Sequence, residues 1–183
     1  MNSSIEDLRL EIQTWSLTNF GVQRSKYDQT VVLGHLAPLL GVAEEAGEYS
    51  QACEKGCLSG KKDAIADMVI FLFDFASRLD INFESYTVES SKGREVLQQE
   101  IGILFHHVLK MHQGIRGYDD KEFALNEIKE SIFSVFDVLH EVCNQVGVSD
   151  PFSLATETFM KTVSKRDWSN KPEDGGDHNH EAV

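Results

Sequence analysis

This 183-residue chain predicts an all-α fold, a helical bundle, and three observations carry that expectation. Apolar residues recur at helical spacing through most of its length. Only three prolines occur, and the alternating β-branched runs that mark strands are nearly absent. One segment, IADMVIFLFDFASRL at 65–79, is apolar almost all round, the pattern of a buried central helix.

The elements follow in order along the chain. Ser3 or Ser4 can cap a first helix running to about Leu17, with Glu6 and Asp7 in its first turn. The stretch TNFGVQRSKYDQT (18–30) reads as a loop. A long helix is expected from about Val31 to Lys55, kinked or restarted at Pro38. Gly56 and Gly60 bracket a turn before the buried helix, expected from about Lys61 to Leu79. A short helix is expected around Asn82–Ser90, then three longer ones at about Gly93–His112, Lys121–Gln145 and Pro151–Asp167. Asp150 caps the last of these, with Pro151 in its first turn. The tail SNKPEDGGDHNHEAV, 169–183, offers no apolar face and is expected to be disordered.

Two acidic stretches are the strongest functional signal. In GVAEEAGEYSQA (41–52), Glu45 and Glu48 stand three apart and Glu44 and Glu48 four apart, so a helix crowds all three carboxylates on one face. In KKDAIADMVIFL (61–72), Asp63 and Asp67 share a face in the same way, and Asp74 continues the stripe. Only EKGCLSG separates the two segments, so they should pack as an antiparallel hairpin. Four or five carboxylates would then converge, and like charges that close need a cation to stay ionised. Oxygen donors without histidine or thiolate suit Mg²⁺, or Mn²⁺, better than zinc. The bland alternative is a solvated acidic face, but aspartates inside an apolar helix require partners.

EExGE followed by DAIAD and a hydrophobic helix resembles the MazG-like all-α nucleoside triphosphate pyrophosphohydrolases. In that family an ExxE motif on one helix and ExxD on the next bind Mg²⁺, which holds a nucleoside triphosphate for hydrolysis to a monophosphate and pyrophosphate. Carried over, ExxE falls on Glu45 and Glu48, and the aspartate of ExxD on Asp67. Ala64 stands where the family pattern has its second-helix glutamate, and Asp63 is the substitute. The resemblance thus implies metal ligands Glu45, Glu48, Asp63 and Asp67. Trp15, Asn19-Phe20-Gly21 and Leu39-Leu40-Gly41-Val42 belong to the same familiar context.

The second half resembles the first. QQEIGILFHHVLK aligns under AEEAGEYSQACEK, which sets Glu100 under Glu45 and Ile103 under Glu48. After a longer turn, NEIKESIFSVFDV aligns under DAIADMVIFLFDF, which sets Asn126 under Asp63, Glu130 under Asp67 and Asp137 under Asp74. The closing TVSKRDW resembles the end of one MazG-like subgroup. The expected organisation is a pseudo-dimer of tandem units: 1–90 with the intact acidic motif, 91–168 degenerate, and the tail 169–183.

Composition bounds the remaining possibilities. A net charge of −13 disfavours nucleic-acid binding, which needs a basic face. The longest apolar run, near Met68–Phe73, is far shorter than the ~20 residues of a membrane span. The polar start MNSSIEDLRLEI reads as no secretory signal, and three cysteines fit a reducing cytoplasm. A homo-oligomer stays open. Lys161, Lys165 and Arg166 either meet the outer charges of a triphosphate or serve as helix C-terminal cations, and His35 is a candidate to approach the base.

The expected chemistry is attack of water on the α-phosphorus, with Glu44, Glu45 or Glu48 as proton acceptor. Clustered carboxylates raise one another's pKa, which suits one of them to act as a base near neutrality. Two other classes are weighed. One is a catalytically inactive helical module that binds nucleotides or proteins, in keeping with Ala64 and the eroded second half. The other, a di-iron bundle, needs Glu-x-x-His from two helices, and the chain has no such motif.

Overall fold

The computed structural model describes residues 2–22, 32–88 and 97–168, with side chains from residue 5. The described residues form an all-α bundle of six helices: α1 (Asn2–Phe20), α2 (Leu36–Lys55), α3 (Leu58–Arg78), α4 (Leu97–Gln113), α5 (Lys121–Gln145) and α6 (Pro151–Lys161). A single 3₁₀ turn, Val163–Lys165, follows the last. The tail 169–183 and the expected helix start at 93–96 lie outside the described residues. No described helix is long and apolar enough to cross a membrane.

Local chemistry explains the boundaries, including those the sequence reading missed. Asp120 Oδ1 accepts from the backbone N–H groups of Glu122 and Phe123, and Asp150 Oδ2 from that of Ser153, so α5 and α6 start where capping residues stand. Pro38 does not kink a helix begun at Val31. It sits in the first turn of a helix begun at Leu36, where a missing N–H costs nothing. At the other end of α2, Gly56 takes a left-handed conformation at φ 69° and closes the helix. Cys57 Sγ accepts from Gly60 N at 3.4 Å, which starts α3 at Leu58 rather than Lys61. α1 runs past Leu17 to Phe20, and α6 stops at Lys161, six residues before the expected end.

Residues 81–88 are not the expected helix but a strap across the bundle. Ile81, Phe83 and Tyr86 are buried along it. Glu6 Oε2 accepts from Phe83 N at 3.3 Å, and the Tyr86 hydroxyl donates to Asp137 Oδ1 at 2.9 Å. These tertiary anchors outweigh a weak local helix preference.

α3 is the central helix and packs against α1, α2, α5 and α6, while α4 and α5 pair with each other. One continuous core joins both halves of the chain, including Ile12, Val42, Met68, Phe73, Leu104, Ile128, Phe136 and Phe159. Phe73 meets Phe136 at 5.5 Å and Phe152 at 5.8 Å between ring centroids. Burying each such ring contributes about 1.5–3 kcal/mol, so α5 and α6 of the second half add substantially to the packing that α1 and α2 give α3.

Candidate functional site

The α2–α3 hairpin brings the two acidic stretches together on one cavity of about 520 Å³. Glu44, Glu45 and Glu48 enter it from α2, and Asp63, Asp67 and Asp74 from α3. The spacing is what places them. Positions 63, 67, 70, 71 and 74 all line the cavity and form one stripe of α3, as helical periodicity requires. α2 comes close because residue 41 is glycine. A Cβ there would fall 2.7 Å from Phe71 ring carbons.

Burial and crowding leave a clear electrostatic mark. Burial first, then the charges of Asp67, Glu48, Glu44 and Asp63, push the Glu45 carboxyl up to about 8. A proton therefore resides on Glu45 at neutral pH, where a cation would otherwise balance the cluster. Asp74 is different, because its partner is a protein side chain. Its Oδ1 accepts from Arg78 Nε at 2.9 Å, and Arg78 also donates to Ser16 Oγ at 2.8 Å and to the Gly21 carbonyl at 3.0 Å. Burial still raises the Asp74 pKa, against the pull of Arg78 and Ser16. The partner that an aspartate inside an apolar helix requires is, at this residue, an arginine of the same helix.

Ala64 settles which neighbouring position faces the cavity. It is 1% exposed and belongs to the hydrophobic core, whereas Asp63 lines the cavity. A glutamate at 64 would therefore enter the core of this bundle. Among the described residues no group of three or more His, Cys, Asp and Glu side chains is arranged so as to hold a metal ion. The donor set nevertheless fits a hard divalent cation: oxygen-only, in excess of the nearby positive charge, and already taking up a proton. Carboxylates gathered this closely repel one another, and a bound cation would offset that repulsion.

The other walls are aromatic, and the sequence reading assigned them no role. Trp15 and Phe20 of α1, Phe71 of α3 and Trp168 beyond the 3₁₀ turn all line the cavity. Trp15 lies 5.5 Å from Trp168 and Phe20 5.1 Å from it, centroid to centroid. Polar bonds fix the same junction: Trp15 Nε1 donates to the Arg166 carbonyl at 3.3 Å, and Trp168 N to Asn19 Oδ1 at 2.8 Å. The Trp168 Nε1 atom is buried and has no hydrogen-bond partner among the described residues. An orphaned donor of this kind carries an unrecovered desolvation cost. The two fragments noted in the sequence, around Trp15-Asn19-Phe20 and around TVSKRDW, thus meet at one wall.

The remaining candidates are dispersed. Arg166 lines the cavity, and its guanidinium lies 5.3 Å from the Trp168 ring centroid. Lys161 instead pairs with Glu157 and lines a separate cleft with Lys62, which touches the cavity only through Asp63. Lys165 is exposed on the 3₁₀ turn. His35 stands away from the carboxylates, against His112 and Phe75. The acids of the second half do not form a matching set. Glu100 is buried, Glu130 exposed, Glu127 lies 3.8 Å from His107, and Asp137 accepts from Tyr86.

Compared with protein-family models, with curated proteins and with solved structures, the chain finds no match in any of the three.

Proposed function

We propose that this protein is a Mg²⁺-dependent nucleoside triphosphate pyrophosphohydrolase of the MazG-like all-α class, acting in the cytoplasm on ribo- or deoxyribonucleotides. One observation supports the reading: six carboxylates from a single helix hairpin line one aromatic-walled cavity, and burial together with the charges of four of them keeps a proton on Glu45 near neutral pH. Glu45, Glu48, Asp63 and Asp67 would hold the cation, with Mn²⁺ as a substitute. When bound, Mg²⁺ neutralises charge on the phosphates and on the departing pyrophosphate.

The protein groups divide the remaining work. Glu45, relieved of its proton once a cation balances the cluster, accepts one from the attacking water. Glu44 and Glu48 flank it and keep the water oriented. Arg166 meets the outer negative charge of the triphosphate, and Trp15, Phe20 and Trp168 offer ring faces for the base. In this reading the two halves of the bundle are tandem MazG-like units, 1–90 bearing the carboxylates and 91–168 completing the core and contributing Arg166 and Trp168 to the cavity.

A second reading is favoured by the buried Ala64 and by carboxylates that do not yet enclose a metal position. It makes the chain a catalytically inactive module that binds a nucleotide or a protein partner. Pyrophosphate release from a panel of normal and modified nucleoside triphosphates, with and without Mg²⁺, separates the two. Turnover that depends on Mg²⁺ supports the enzyme. Its absence across the panel, with nucleotide binding retained, supports the module.

A further inference from the structure

His35, the residue before α2, meets His112 in the last turn of α4. Their Nε2 atoms are 2.9 Å apart, the ring planes differ by 8°, and the centroids are 5.0 Å apart. That centroid separation is close to the nitrogen–nitrogen distance plus the two ring radii. The rings therefore meet edge to edge in nearly one plane, nitrogen against nitrogen, and are not stacked face over face. Such a contact is an Nε2–H···Nε2 hydrogen bond, in which one ring donates and the other must be unprotonated at Nε2. A neutral pair or a singly charged pair can form it. A doubly protonated pair presents two N–H groups and two positive charges to each other, and cannot.

We propose that the His35–His112 hydrogen bond is a one-proton latch that positions the first turn of α2, and with it the cavity wall made by Ala37 and Pro38, and that it opens when both rings are protonated. The proposal does not depend on what the cavity binds. His112 faces His35 from α4, and α3 presents the Phe75 ring at 5.9 Å and the positive charge of Arg78. Burial, His112 and Arg78 all hold the His35 pKa below its ordinary value. The folded protein thus takes up this proton less readily than the unfolded chain. The stabilising contact is complete above a pH of about 6.5 and is lost as pH falls from there through the folded-state pKa.

Imidazole and backbone amide NMR on the full chain, titrated from pH 8 to pH 5, tests the latch. In the wild type, the Ala37 amide should shift in the same step in which His35 gains its proton. His112→Ala should raise the His35 pKa. His112→Gln, which can keep a hydrogen bond to His35 without titrating, should hold the Ala37 amide near its high-pH position and abolish the step. An unchanged His35 pKa in His112→Ala, or an Ala37 step that persists in His112→Gln, overturns the proposal. If neither variant folds, His35→Gln, which removes the ring whose proton opens the latch, should leave the Ala37 amide without a step. A step that persists there likewise overturns the proposal.

Discussion

Gly41 of α2 and Phe71 of α3 are packed so closely that no side chain fits between them: a Cβ on Gly41 would lie 2.7 Å from the Phe71 ring. Phe71 is also a wall of the carboxylate cavity. Gly41→Ala should therefore destabilise the protein by about 1–3 kcal/mol, the usual cost of overpacking, and displace Phe71. Gly47, on the same helix, has nothing within 4 Å of its built Cβ. Gly47→Ala should stabilise by about 0.5–1 kcal/mol, because alanine is the better helix former. Chemical denaturation of the two variants checks the opposite signs. Destabilisation by both would mean that the hairpin does not tolerate change on either face.

Glu45 gives a pH signature with a defined sign. Its folded-state pKa is raised to about 8, so the stability it contributes is complete below an unfolded carboxyl value of about 4.3 and is lost as pH rises through 8. Glu45→Gln removes that dependence. Without metal, the variant should exceed the wild type in stability at pH 8 by about 1–3 kcal/mol after allowance for solvent screening, and by little at pH 4. Denaturation midpoints across this range measure it. Carboxyl NMR should also show the Glu45 transition moving to lower pH when Mg²⁺ is added. A transition unmoved by Mg²⁺ would tell against metal binding at these carboxylates.

The carboxylates that line the cavity were legible because helical periodicity is written in spacing alone. Asp63, Asp67 and Asp74 fall on one stripe whatever packs against it. α5 was equally legible, and its expected span, Lys121–Gln145, is the one observed. The aromatic wall was not, because Trp15 and Trp168 are joined only by tertiary folding and a bond to Arg166 spans 151 positions. The strap at 81–88 was misread because two of its buried residues, Phe83 and Tyr86, stand three apart and could share one side of a helix as readily as pin an extended segment. The His35–His112 contact was hidden for a related reason: nothing local in the sequence indicates that the two residues, 77 positions apart, lie opposite each other.

The ligand assignment separates the two halves experimentally. Glu48→Gln and Asp67→Asn should abolish Mg²⁺-dependent turnover while leaving helix content unchanged by circular dichroism. Glu100→Gln and Glu130→Gln should leave activity within about threefold of wild type, since their side chains lie outside the cavity. Ala64→Glu should not restore a family ligand, because position 64 is in the core. It should instead cost at least about 2 kcal/mol. Equal losses from both sets of acids would point to a working site in the second half as well.

Trp168 distinguishes a ligand-binding wall from a merely structural one. Trp168→Phe keeps a ring in place and removes a buried N–H that has no partner among the described residues. Loss of an unpaired donor should leave stability within about 0.5 kcal/mol or improve it slightly. If the N–H serves the substrate, KM should rise by up to about tenfold, one hydrogen bond being worth about 0.5–1.5 kcal/mol. Unchanged KM and unchanged stability together would confine Trp168 to packing against Trp15 and Phe20.

The interlock of the two halves makes the last prediction. Phe73 of α3 packs on Phe136 of α5 and Phe152 of α6, and Phe83 of the strap also meets Phe136, at 5.4 Å. A fragment ending at residue 90 would keep all the cavity carboxylates yet lose every one of these partners. Several rings worth about 1.5–3 kcal/mol each would become exposed in a protein whose whole stability is of the order of 5–15 kcal/mol. The fragment should therefore be aggregated, molten or self-paired. Analytical ultracentrifugation with near-ultraviolet circular dichroism reads these outcomes apart. Adding a 91–168 fragment in equal amount should restore the native near-ultraviolet signal, because the missing faces are complementary. A monomeric 1–90 fragment with fixed aromatic packing would show that α1, α2 and α3 can bury their apolar faces unaided, and tandem units sharing one core would then be the wrong description of this bundle.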